Sequence, residues 1–154
     1  MKTLVLGIGN ILLSDEGIGV HTLNYLSSHY ANLKEVEYLE GGTLSFTLAP
    51  IIEKAQNLIV IDATQLHAEP GTIQIFSGQQ MDEFLSTPRR SVHEVGLVDI
   101  LTMVRLTEHL PQRRALIGIQ PQKLDWGNVP SPKVASIIPQ AASFVVQLVR
   151  EWNE

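Results

Sequence analysis

Apolar residues fall in short, regularly spaced runs along this chain. "TLVLGI" (3–8), "VEYL" (36–39), "NLIVID" (57–62), "TIQIF" (72–76) and "ALIGI" (115–119) are each of strand length and rich in Val, Ile or Leu. The first, third and fifth are nearly unbroken, as expected of strands covered on both faces. "TIQIF" alternates instead, which suits a strand at an edge. Between these runs the period lengthens to that of a helix. Over 16–30, Val20, Leu23, Leu26 or Ser27, and Tyr30 share one face. Over 94–109, Leu97, Ile100, Leu101 and Val104 do the same, and Pro111 stops the helix. The last segment is the clearest, with Val134, Ile137, Ile138, Ala141, Val145, Leu148, Val149 and Trp152 at a spacing of about 3.6 residues. Ser131 and Pro132 suit its N-cap and first helical position, and Pro139 is expected to kink or split it.

The order β-α-β-α-β-β-α-β-α predicts an α/β fold. The expectation is a single-domain three-layer sandwich over residues 1–154, in which a mostly parallel, twisted five-stranded sheet lies between helices on both faces. The link from Asp62 to Thr72 is about nine residues and contains Pro70-Gly71, shorter than the dozen or more that a parallel crossover needs. The 72–76 strand is therefore expected to run antiparallel at an edge.

Composition narrows the function. A chain of 154 residues, 44% apolar and 18% charged, has the balance of an ordered globular domain with one sufficient core. Eleven basic against sixteen acidic residues argue against a nucleic-acid surface, which would want clustered Lys and Arg. The absence of cysteine excludes disulfides, thiolate metal sites and cysteine nucleophiles. Residues 1–10 lead straight into a strand rather than resembling a signal peptide. No apolar run approaches the roughly 18 residues of a membrane span. A cytoplasmic location without a membrane partner is the expectation. With no sustained heptad, so is a monomer.

In sheets of this kind ligands bind beyond the carboxyl ends of the strands, so the polar residues there carry the functional signal. "GIGNILLSDEG" follows the first strand, "EGGT" (40–43) the second, Asp62 ends the third, "SVHEVGL" (91–97) precedes a long helix, and "GIQPQ" (118–122) ends the fifth. Gly7-Ile-Gly9-Asn-Ile-Leu12 lacks the third glycine of a dinucleotide loop. Asp15 and Glu16 at the helix start would also repel a pyrophosphate, although the helix dipole favours them. "HEVGL" begins like a zinc-protease helix but has Leu97 where the second His is needed. Ser91 with Glu94 reads instead as a capping box, placing His93 in the first helical turn, where the dipole favours the neutral, metal-binding imidazole. No Gly-x-Ser-x-Gly elbow is present. His21, His29, His67 and His109 show no ligand spacing. Arg89-Arg90 reads as a solvated loop, and Trp126 as a cover for the core.

Glu16, Asp62 and His93 are thus three donors at three strand ends that one crevice brings together. Two carboxylates and one imidazole form a borderline set suited to zinc, nickel or iron with positions left open. Plainer readings stand beside this one: Glu16 as a dipole partner, Asp62 as a turn cap, and His93 as a surface residue in a capping box.

The segments "GIGNILLSDEGIGVHTL", "EGGT", "VIDA", "SVHEVGL" and "PSPKVASIIPQA" closely resemble, in order and over essentially the whole chain, the hydrogenase maturation proteases. The resemblance implies a single α/β domain. It also implies an endopeptidase that removes the C-terminal extension from the nickel-loaded precursor of a nickel-iron hydrogenase large subunit. It implies that Glu16, Asp62 and His93 are metal ligands and the catalytic set, with the nucleophile unidentified and Asp15 or Glu16 open as a base. It implies further that nickel is carried by the precursor rather than held stably by the protease. Gly41, Gly42 and Thr43 are the expected substrate-lining residues, the glycines having no side chain to obstruct a backbone. One position departs from the family pattern: Glu40 replaces the usual Asp, reaching one methylene further. The competing readings are a general metallopeptidase and a non-catalytic nickel metallochaperone.

Overall fold

The computed structural model of the chain describes residues 2–42, 45–87 and 96–154. Every residue of β1 (Thr3–Ile8) and of β3 (Asn57–Ala63) is buried, as their unbroken apolar sequences require. With β2 (Val36–Gly42), β4 (Ile73–Ser77) and β5 (Arg113–Ile119) they form one sheet in the order β2-β1-β3-β5-β4. All neighbours are parallel except β4, which pairs antiparallel with β5 at the edge. The expected fold class and the expected antiparallel edge strand are both observed.

Side chains alternate between two core layers, as strand geometry demands. Leu4, Leu6 and Ile8 of β1, Leu58 and Val60 of β3, and Leu116 of β5 face one layer. That layer is completed by α2 (Ala49–Glu53), α3 (Gln79–Ser86) and α4 (Leu97–Leu106). Val5, Ile59, Ile61, Ile117 and Ile119 face the other, covered by α1 (Ile18–His29), α5 (Pro132–Ala135) and α6 (Ile138–Trp152). Each such Leu or Ile contributes about 1.5–3 kcal/mol on leaving water, so the two layers hold the sheet from both sides.

Helix positions follow the sequence with three differences. α2 fills the place of the helix expected between the second and third strands, whereas α3 was not anticipated. Residues 14–17 form a 3-10 turn before α1, so Glu16 stands in that turn and not in the helix itself. α4 begins at Leu97, and its cap is Gly96, whose N–H donates to the Asp99 carboxylate at 3.1 Å. The expected Ser91–Glu94 box lies outside the described residues. The C-terminal helix breaks at Ser136–Ile137, just before Pro139.

Taken as one stretch, Pro132–Trp152 is long and apolar enough to cross a membrane by length and composition, although it is not an uninterrupted apolar run. In the fold it is a core helix. Val134, Ala141, Ala142, Val145, Val146 and Val149 are buried against the sheet, while Lys133, Gln140, Gln147 and Arg150 are exposed.

Candidate functional site

The connection from β1 turns to β2 on one side and that from β2 to β3 on the other, so strand order reverses between β1 and β3. Such switch points open a crevice at the carboxyl ends of the strands. Asp62 is the penultimate residue of β3, in register with Gly118 of β5 and one residue beyond the Gly7–Ile61 pair of β1 and β3. It shares the parity of Leu58 and Val60, so it belongs to the layer of α2–α4, and it is only 2% exposed. A buried carboxylate needs a reason to be there.

The segment after β1 wraps over the same end of the sheet, and glycine makes its approach possible. Gly9 has φ +131°, and a Cβ built on it would lie 1.9 Å from the carbonyl oxygen of Glu16. A Cβ on Gly19 would lie 2.2 Å from the Ile61 carbonyl and 2.4 Å from that of Ile8. These glycines therefore let the Glu16 turn and the start of α1 rest directly on β1 and β3. They serve backbone packing, not a phosphate. Glu16 is half-buried in that turn. The Glu16 backbone and Asp62 thus meet at one end of one sheet. His93 and Thr43 lie outside the described residues. Among the described residues no group of three or more His, Asp or Glu stands ready for an ion.

Gly41 and Gly42 end β2 rather than forming a free loop. Gly42 accepts the Gly9 N–H at 2.8 Å through its carbonyl, so the "EGG" segment is tied to the residue beside Glu16. A Cβ on Gly42 would meet nothing within 4 Å, leaving its outer side open. Glu40 is exposed, opposite Gly7 in the ladder.

Asp15 has a different role from its neighbour. It is fully buried, and its carboxylate accepts from the Gln122 and Lys123 N–H groups at 2.9 Å each and from the Ser131 N–H and hydroxyl at 2.7 Å each. Burial pushes its pKa up, but the Ser131 hydroxyl and the three backbone donors outweigh this and hold it below the ordinary carboxylate value. A carboxylate with four donors and a lowered pKa is a poor base. The possibility that Asp15 serves as base is therefore withdrawn. Ser131, expected as a side-chain N-cap, instead gives its hydroxyl to Asp15.

The same loop is pinned further. Ser14, at φ +52°, donates its N–H to the Gly127 carbonyl at 2.9 Å and its hydroxyl to the Asp125 carbonyl at 2.8 Å. Gly127 N–H returns to the Leu12 carbonyl at 3.0 Å. Gln120, at the end of β5, accepts the Leu66 N–H at 2.7 Å and so anchors the link leaving β3. The sequence singled out the segments carrying these residues. It did not reveal that they bind one another, because their partners are more than fifty positions apart, and those of Ser14 more than a hundred.

Fold and site together define an acid-lined α/β domain, not a dinucleotide-binding one. The family described as hydrogenase maturation protease matches residues 20–148. The chain is 36% identical over 152 residues to the hydrogenase 2 maturation protease of Escherichia coli K12, covering 98% of this chain and 92% of that protein. It is also 36% identical over 153 residues to the hydrogenase expression/formation protein HupD of Rhizobium leguminosarum bv. viciae, covering 99% and 76%. The solved hydrogenase maturating endopeptidase HybD from E. coli superposes with a TM-score of 0.90 at 34% identity, over 98% of this chain and 93% of that one. The chain belongs to the hydrogenase maturation protease family.

Proposed function

We propose that this protein is the endopeptidase that removes the C-terminal extension of a nickel-loaded hydrogenase large-subunit precursor. In this reading Glu16, Asp62 and His93 recognise the nickel that the precursor carries. The observation that carries it is the buried Asp62 carboxylate at the switch point, with the Glu16 turn seated on the adjoining strand end through Gly9. The chain enters α4 at Gly96, and Leu97 packs in the layer that Asp62 faces.

The donor set fits the task. Two carboxylates and an imidazole bind borderline metals while leaving positions for ligands that the precursor supplies. Three donors also hold a free ion less tightly than a closed four-ligand site, as suits a protease that reads its substrate's metal and then lets go. Coordination would fix the nickel-bearing end of the precursor and hold the scissile bond beside it, replacing a bimolecular search with a positioned reaction. Gly41, Gly42 and Thr43 would border the extended segment to be removed. A cytoplasmic, monomeric enzyme belongs to the same proposal.

Mass spectrometry of the precursor, with and without nickel and with and without this protein, is the test. Shortening that needs both nickel and the protein supports the reading. Bound but unshortened precursor would indicate a metallochaperone, and shortening of unrelated peptides a general metallopeptidase.

A further inference from the structure

Five of the large apolar residues left exposed on this protein sit in two loops that are bonded together. Ile11 and Leu12 lie in the loop after β1, and Leu124, Trp126 and Val129 in the loop after β5. Trp126 is 76% exposed, Val129 65% and Leu12 53%. The expectation that Trp126 covers the core is therefore overturned.

This is not a loose tip. On one side of Trp126 the Asp125 carbonyl holds the Ser14 hydroxyl; on the other, Gly127 exchanges bonds with Ser14 and Leu12. Lys123 and Ser131, which flank the whole loop, are fixed by Asp15. A Cβ on Gly127 would lie 2.5 Å from the Ser14 hydroxyl, so this close approach requires glycine. The backbone is thus rigid while a large aromatic and two aliphatic side chains face water. Leaving those side chains exposed costs solvation, and the fold is held by the loop's backbone bonds rather than by them. It suits an interface, where a pre-ordered tryptophan anchor loses little freedom on binding.

We propose that the surface centred on Trp126, with Leu12 and Val129, docks the folded body of the hydrogenase large-subunit precursor and sets the affinity for it, separately from the cleavage chemistry. The occupant follows from continuity. Leu12 is four residues before Glu16 in the pinned segment, so this surface adjoins the Glu16 turn to which the precursor's scissile bond would be presented. The nearest charges, Lys123 and Asp125, pair with each other at 3.8 Å, which leaves apolar contact as the main attraction. The inference rests on the reading that cleavage occurs at that end of the sheet.

The test is the rate of precursor processing against precursor concentration for wild type, Trp126→Ala and Trp126→Phe, with Glu16→Gln in parallel. Trp126→Ala should raise KM about tenfold or more and keep kcat within about twofold, while Trp126→Phe stays close to wild type. Its unfolding midpoint should not change, since the side chain is exposed. Glu16→Gln should lose kcat yet still bind the precursor, and adding Trp126→Ala should weaken that binding by about tenfold or more. An unchanged KM in Trp126→Ala overturns the proposal. So does an unchanged KM with conversion of a dimer to monomer, which would assign the surface to a second copy of this chain. Normal processing by Glu16→Gln with KM still raised by Trp126→Ala would overturn the site reading alone and uphold the docking surface.

Discussion

Ser131 gives both its backbone N–H and its hydroxyl to the carboxylate of Asp15, each at 2.7 Å, across 116 positions of sequence. This clamp joins the loop after the first strand to the start of the C-terminal helices. It fixes the turn that carries Glu16 without using Glu16 itself. Two adjacent acids therefore differ: Asp15 holds the frame, and Glu16 is the one proposed for the site.

Loss of the clamp should be costly. Asp15→Ala leaves four donors without their acceptor, and hydrogen bonds to a charged group contribute about 1.5–3 kcal/mol. A loss of about 3 kcal/mol is expected in urea unfolding at pH 7. The folded pKa of Asp15 lies below its ordinary value, so its contribution is complete above the unfolded value, about 3.9, and fades as pH falls through the lower folded value. Asp15→Asn should lack that acid-limb loss. Identical pH profiles for Asp15→Asn and wild type would contradict the assignment.

His21, on α1, behaves in the opposite direction. Its Nε2 is buried with no hydrogen-bond partner among the described residues, and burial lowers its pKa. The unfolded chain therefore takes up a proton first. Stability is complete above the unfolded value, about 6.5, and is lost as pH falls from there toward the lower folded value. His21→Leu should flatten the stability profile over that range, measured by thermal unfolding at pH 5 and pH 8. A slope equal to wild type would show that His21 stays neutral in both states or is charged in both.

Two glycines separate close packing from backbone conformation. Gly19→Ala drives a methyl into the Ile61 and Ile8 carbonyls, which cannot retreat without shifting the sheet. A loss of about 3 kcal/mol or an insoluble product is expected. Gly42→Ala meets open space but must adopt φ +53°, at a cost of about 1 kcal/mol. Gly42→Asn should recover most of that. Equal losses for Gly19→Ala and Gly42→Ala, read from denaturation midpoints, would contradict the packing account.

The sequence disclosed the parts of this molecule whose cause is local. Continuous apolar runs marked β1, β3 and β5 because both faces of those strands are covered. A link too short for a crossover turned β4 antiparallel. The face Leu97, Ile100, Leu101 and Val104 of α4 was readable from its period, and all four are buried. α3, with few apolar positions, gave too weak a pattern. The placement of Asp62 near a strand end and of Glu16 in a turn after a strand was legible because the apolar runs mark where the strands stop. The Asp15–Ser131 clamp was not legible. Nothing near either residue names the other, and a buried acid looks in sequence like a helix-dipole partner or a base. Trp126 was misread for a related reason: an aromatic in a loop is normally tucked inward, and only the bonds from Ser14 and Gly127 show why this one stays out.

The central claim is that Glu16, Asp62 and His93 act together on the nickel-bearing end of the precursor. The most direct measurement is the processing rate of nickel-loaded precursor by Glu16→Gln, Asp62→Asn and His93→Ala, each first verified as folded by its unfolding midpoint. Each should fall by about a hundredfold or more, with nickel-free precursor uncut by wild type. Processing at the wild-type rate by folded Glu16→Gln and His93→Ala proteins would contradict the claim.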